Sequence, residues 1–105
     1  MYNPKVPLPN LPTPKEEDLT LVPKREGKEV GLTKGSVIVQ LSDGEEVYEL
    51  PSAIYAIWSR CDGEETIRSL ASTLSEETAI PMERMIPLTY AILIALAESN
   101  LIHWL

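Results

Sequence analysis

One cysteine, Cys61, and one histidine, His103, are all the thiol and imidazole chemistry that these 105 residues hold. A lone cysteine closes no internal disulfide and builds no Cys-based metal cage, and a free thiol is easiest to keep in a reducing compartment. Positive charge is scarce too: nine Lys and Arg stand against sixteen Asp and Glu, a formal charge of −7. Such a chain is a poor polyanion binder, because each phosphate contact works against the protein's own field. No apolar run approaches the roughly 18 residues of a membrane span, so no membrane partner is expected. The opening Met-Tyr-Asn-Pro has no basic head feeding an apolar run. A secretory signal is therefore not expected, and a cytoplasmic location is. What is present, 44% apolar residues, suffices for one modest core.

Proline organises the first stretch. Residues 1–18 hold Pro4, Pro7, Pro9, Pro12 and Pro14, and each removes a backbone donor and pushes its predecessor toward extended geometry. This segment reads as a proline-rich tail, with residues 19–105 as the folded domain. The tail is either loose, or a strip whose Val6, Leu8 and Leu11 pack on the domain or a second subunit. From Leu19 to Arg25 the pattern predicts a short strand, confined to an edge by Pro23. Residues 26–35 hold three glycines and read as loop, with a short strand about Val30 to Leu32. Residues 36–41 (SVIVQL) alternate strictly, with Val37, Val39 and Leu41 on one face. Ser42-Asp43-Gly44 is a hairpin turn, and residues 45–50 (EEVYEL) return as the partner strand.

At Pro51 the period changes from two to 3.6. Ile54, Ile57, Trp58 and Cys61 place one helix over residues 52–61. A second helix, 66–77, buries Ile67, Leu70, Ala71 and Leu74. Its cap is Asp62 or Thr66, with Thr66 favoured because it leaves Gly63 to the turn. The third, 82–98, shows a stripe of Met85, Leu88, Ile92 and Leu96, yet Tyr90, Leu93, Ile94 and Ala97 are apolar as well. A chain this small cannot surround such a helix, so part of it should meet a partner, a peptide or the tail. Self-association into a homodimer is one expected outcome. Asn100 suits a left-handed cap, and Leu101 to Leu105 form a terminal apolar clasp or one more strand.

No catalytic constellation emerges. His103 reads as a clasp residue or a solvated one, and Cys61 as a small buried hydrophobe. Asp43, Glu45, Glu46 and Glu49 read as a solvated acidic edge. Gly27, Gly31 and Gly35 open no helix and make no phosphate loop. No metal and no cofactor is expected. A small sheet beside three helices also describes a winged helix-turn-helix, but a DNA reader needs basic or amide side chains on its recognition helix. Here the third helix offers Arg84 alone, and residues 62–83 carry six carboxylates against Arg68. Nucleic acid is therefore excluded as a partner. The features left over are the strand 45–50, with an edge that nothing later clearly pairs, and the over-apolar third helix beside it. Together they suit a peptide that adds itself as a strand. The alternative is a structural interaction or dimerisation module.

Several segments now point one way: Val37 to Leu41 (VIVQL), Ser42 to Gly44, Val47 to Leu50 (VYEL) and Ser52 to Trp58 (SAIYAIW). After the Asp62-Gly63 turn come Thr66 to Ala71 (TIRSLA), and finally Leu88, Ile92, Leu96 and Asn100 to Ile102. In that order they resemble the PqqD family over residues 19–104, most specifically in the segment from Ile57 to Thr66. Its members are small recognition domains that serve the modification of ribosomally made peptides, the founding example in pyrroloquinoline quinone biosynthesis. The resemblance implies an α+β fold of winged-helix order, with a small three-stranded antiparallel sheet and three helices. It implies no catalysis, and a precursor (leader) peptide bound as an extra strand and presented to a peptide-modifying enzyme, the radical S-adenosylmethionine class among them. Carried over by position, the docking strand is Glu46, Val47, Tyr48, Glu49 and Leu50. The docking helix runs through Met85, Leu88, Thr89, Ile92 and Leu93. Two departures stand out: Pro51, where family members usually show asparagine, and Pro87 inside the docking helix.

Overall fold

The computed structural model describes residues 13–41 and 46–105; the tail residues Val6, Leu8 and Leu11, the Ser42 to Gly44 turn and Glu45 lie outside the described residues. Among the described residues five strands and three helices follow one another: β1 (Pro23–Arg25), β2 (Lys28–Thr33), β3 (Ser36–Gln40), β4 (Val47–Pro51), α1 (Ser52–Ser59), α2 (Ile67–Thr78), α3 (Met82–Glu98) and β5 (Ile102–Trp104). A 3-10 helix, Glu16–Thr20, precedes them and straddles the expected boundary between tail and domain. It packs on α2, burying Leu19, while Glu16 pairs with Arg68.

The fold is α+β, as expected, but the third strand of the sheet comes from elsewhere. The sheet runs β2-β3-β4, all antiparallel, and β1 pairs with β5 in a separate two-stranded ladder. Leu19 and Thr20, expected to begin a strand, belong to the 3-10 helix. The reason lies in the backbone of β1, which is engaged on both sides. Its Arg25 N–H donates to Cys61 at 2.7 Å, and its Pro23 carbonyl accepts from Gly63 at 3.1 Å. On the other side Glu26 donates to Leu101 at 2.8 Å and Leu105 donates to Val22 at 2.9 Å. Nothing remains for the larger sheet. The vacancy beside β3 is filled by residues 28–33, a longer strand than the short one expected about Val30 to Leu32; the register slips at Val30, between Glu29 and Gly31. Gly27 makes the turn from one ladder to the other at φ +91°. A Cβ there would stand 2.9 Å from the Gln40 carbonyl oxygen, so a side chain is excluded twice over.

The helices follow their sequence signals closely where those signals had contrast. Thr66 caps α2, accepting from the Ser69 N–H at 3.1 Å, and Ile67, Leu70, Ala71 and Leu74 are all buried. Asp62, the competing cap, instead accepts from the Glu64 and Glu65 N–H groups. Those bonds to its charged form hold its carboxyl below the usual range. Trp58 on α1 lies at the centre, its indole N–H donating to the Leu101 carbonyl at 2.9 Å. Asn100 adopts φ +61°, the left-handed cap expected of it, and the chain then enters β5.

On α3 the buried stripe is rotated from the expected one. Met85, Thr89, Leu93 and Leu96 are buried, whereas Leu88 is 37% exposed and Ile92 only partly covered. Both stripes are apolar at helical spacing, and the inner one is chosen by packing against α2 and α1. Pro87 lies within the helix, so the Glu83 carbonyl loses its usual N–H partner four residues on.

Candidate functional site

The candidate site begins with β4, which among the described residues pairs with β3 alone and ends the sheet. Which of its backbone groups face outward follows from the ladder. Leu41 donates to the Glu46 carbonyl at 3.4 Å and Ser52 donates to the Gly35 carbonyl at 3.1 Å. In an antiparallel ladder hydrogen-bonded pairs alternate, so Glu46, Tyr48, Leu50 and Ser52 face β3. Val47, Glu49 and Pro51 therefore turn their main chain to the free edge. Pro51, the departure at this corner, sits where its missing N–H costs the ladder nothing. Among the described residues the edge consequently presents two N–H donors, at Val47 and Glu49.

The side chains of β4 divide by the same parity. Leu50 is buried opposite Val37 and Tyr48 half-buried opposite Val39, both on the face that packs on α1. Val47, 56% exposed, and Glu49 point to the other face. The Tyr48 hydroxyl donates to a Glu46 carboxylate oxygen at 2.6 Å, and that bond raises the phenol above its ordinary range. Between β4 and α3 stands α1, which packs on the sheet on one side and on α3 on the other. Of the docking-helix residues carried over by position, Leu88 and Ile92 reach the surface. Met85, Thr89 and Leu93 are core residues in the free chain. Sequence periodicity could not separate these two groups.

Thr89 is the one polar residue in the buried set, and its hydroxyl has no hydrogen-bond partner among the described residues. An unpartnered buried hydroxyl costs about 1–3 kcal/mol of desolvation. Thr89→Val, nearly isosteric and apolar, is therefore expected to stabilise the domain by roughly 1 kcal/mol, read as a higher urea midpoint at unchanged slope. A lower midpoint would mean that the hydroxyl has a partner after all.

The rest of the molecule offers little chemistry. Among the described residues no group of three His, Cys, Asp or Glu is placed to hold a metal ion, and no helix is long and apolar enough to cross a membrane. Cys61 is buried, with its thiol against the Ile57 carbonyl at 3.3 Å, and burial pushes its pKa up to about 12. His103 reaches the Glu26 carboxylate at 2.5 Å, linking β5 to the end of β1. Along α3 the exposed positions are Glu83, Arg84, Leu88, Ala95 and Glu98, a surface with a single cation. Duplex DNA titrated at about 0.15 M salt is accordingly expected to show no saturable binding. Micromolar affinity with a steep salt slope would contradict this.

No curated protein and no solved structure is similar enough to the chain to count as a match. A family model does match: that of PqqD, coenzyme PQQ synthesis protein D, over residues 35–102. The matched span holds β3, β4 and all three helices, and leaves out β1 and β2. The family is non-catalytic, with a general recognition and chaperone role toward ribosomally made precursor peptides. With nearly two thirds of its length inside that model, from the residue before β3 to the first of β5, the chain belongs to the PqqD family.

Proposed function

We propose that this domain binds the leader of a precursor peptide as an antiparallel strand on the outer edge of β4 and presents it to a modifying enzyme. The enzyme we infer is of the radical S-adenosylmethionine class. The observation that carries the reading is the outward main chain of Val47 and Glu49 on a terminal strand, which offers two donors and two acceptors to an incoming strand. The three helices and the β2–β3 hairpin are read as a winged helix whose groove-reading surface has been given over to peptide.

Main-chain bonds supply affinity with little selectivity, so side chains must choose the leader. Residues of the leader opposite Tyr48 and Leu50 point to the sheet face that packs on α1, where an apolar anchor can be covered. Burying one Leu or Ile side chain contributes roughly 1.5–3 kcal/mol. Two anchors, less ordering costs, correspond to about micromolar binding. Leu88 and Ile92, the two residues of the docking helix at the surface, are the apolar contacts we assign on α3. Glu46 and Glu49 favour a leader with Lys or Arg flanking its anchors, chiefly through the on-rate.

Amide NMR titration with the precursor leaders encoded beside the gene tests this. Shifts are expected at Val47 and Glu49, along the rest of β4 and around Leu88 and Ile92, with α2 unmoved. Shifts centred on α2, or none, would overturn the assignment. A second copy pairing through β4 would use the same donors, and sedimentation with and without leader separates the two. A dimer that the leader does not dissociate supports an association module instead.

A further inference from the structure

A strand that bonds to Val47 and Glu49 must set a side chain beside each of them, and the ladder fixes what stands behind those two. Both lie on the face of the sheet turned away from α1, each in its own cross-strand row. Behind Glu49 the row runs to Ile38 on β3 and Gly31 on β2, and behind Val47 it runs to Gln40 and Lys28. Ile38 leans over Gly31, where a Cβ would stand 3.8 Å from its Cγ1. The Glu49 row therefore holds one apolar side chain and then none, while the cation stands in the Val47 row. Among the described residues the Glu49 carboxylate enters no ion pair. Its open side is the edge itself, where a guest's side chain would lie. Glu46, the other described carboxylate of this stretch, has the opposite parity and accepts from the Tyr48 hydroxyl.

Directly opposed side chains of an antiparallel pair interact, opposite charges favourably and like charges unfavourably. We infer that the strand recognised here is read position by position over four residues. From its N-terminus these are an apolar residue opposite Leu50, Lys or Arg opposite Glu49, an apolar residue opposite Tyr48 and a β-branched residue opposite Val47. The inference rests on the leader reading and names the class of leader that the edge accepts. The order follows from antiparallel pairing, which sets the first of the four guest residues against Leu50. The two apolar positions fall on the face that packs on α1, and the other two on the open face. A β-branched residue suits Val47, which is 56% exposed, because such side chains pack well on a pleated surface. Glu49 is thus a specificity-determining residue. The competing account is the formal charge of −7, which draws in any basic peptide without regard to position.

The test uses the full chain, the leaders encoded beside the gene, and labelled synthetic peptides centred on Leu-Lys-Leu-Val in Gly-Ser flanks. The patterned peptide should shift the Val47 and Glu49 amides. It should bind about threefold to fivefold more tightly than its isomer Leu-Val-Leu-Lys, which has the same composition and charge. Exchanging its Lys for Glu should weaken binding roughly tenfold. Against Glu49→Lys that preference should invert, and against Glu49→Gln it should vanish, with thermal melts like the parent's. Glu76→Lys, at an exposed position of α2, changes the net charge equally and should leave the preference as it is. Inversion by both lysine substitutions, or by neither, overturns the inference, and so does equal binding of the two isomers. A patterned peptide that leaves β4 unshifted, while the encoded leaders shift it, overturns the inference and spares the leader reading. Encoded leaders that bypass β4 overturn both.

Discussion

Glu49→Pro is expected to lose leader binding and keep its fold, whereas Tyr48→Pro, one residue away, is expected to lose the fold. The two positions differ in which way their N–H points, and in side chain: Tyr48 is half-buried and Glu49 exposed. At Glu49 it faces the free edge, so proline removes one of the two donors available to an incoming strand and sets a ring in its path. Losing one hydrogen bond is worth about 0.5–1.5 kcal/mol, and the clash adds to it, so affinity should fall by roughly tenfold or more. Pro51 shows that this edge already accommodates proline at the same parity. At Tyr48 the N–H faces β3, and proline there breaks a ladder bond, leaving the Val39 carbonyl unpaired at a cost of about 1–3 kcal/mol, and removes the half-buried ring as well. That is a large share of the 5–15 kcal/mol by which small domains are typically stable. Urea melts and leader titrations on both variants decide the matter. A Glu49→Pro protein that binds as tightly as the parent would show that the leader avoids this edge.

Leu93→Ala is expected to destabilise the domain by about 2–5 kcal/mol, and Leu88→Ala by less than about 1 kcal/mol. Leu93 is fully buried against the core cluster, so truncation leaves a cavity that the surrounding helices cannot close. Leu88 is 37% exposed, and its truncation creates no enclosed void. Under the proposed function the order reverses for binding: Leu88→Ala weakens the leader complex. Leu93→Ala acts on it only through the fraction folded. Denaturant melts paired with titrations at a temperature where both variants are folded separate the effects. Equal destabilisation by the two would mean that the exposed stripe of α3 is covered in the protein as it exists in solution.

What could be read in advance depended on contrast. In α2 apolar and polar residues alternate at helical spacing, so the buried face and the end were legible, and Thr66 was the favoured of two caps. Along α3 apolar residues lie on nearly every side, so periodicity offered two stripes and nothing to choose between them. Thr89, a polar residue, lies in the buried stripe. The third strand of the sheet was legible only in part, as a short strand about Val30 to Leu32, for another reason. Residues 28–33 include Gly31 and are exposed throughout, so they lack the half-buried alternation that marks a strand. Residues 19–25 have more of that alternation, yet β1 is claimed by β5, about 80 residues away, and by the Cys61 to Gly63 turn. Long-range pairing of that kind leaves no local trace. Of the candidate site, the strand was legible from its alternation. The outward parity of Val47 and Glu49 required the ladder itself.

Pro51 has a consequence for anything that lengthens this sheet. An edge with donors at every second residue lets a visiting strand slide by two and lose little, so the visitor's register is poorly defined. Here the row of donors stops after Glu49, because the next outward position has no hydrogen to give and α1 begins immediately beyond it. A strand that slips by one repeat toward the helix forfeits half of its main-chain donors. The corner thus works as an end-stop, and a guest is measured from it. The spacing between a guest's own anchor residues and that end then decides whether it fits, which makes a very short edge selective by position as well as by composition.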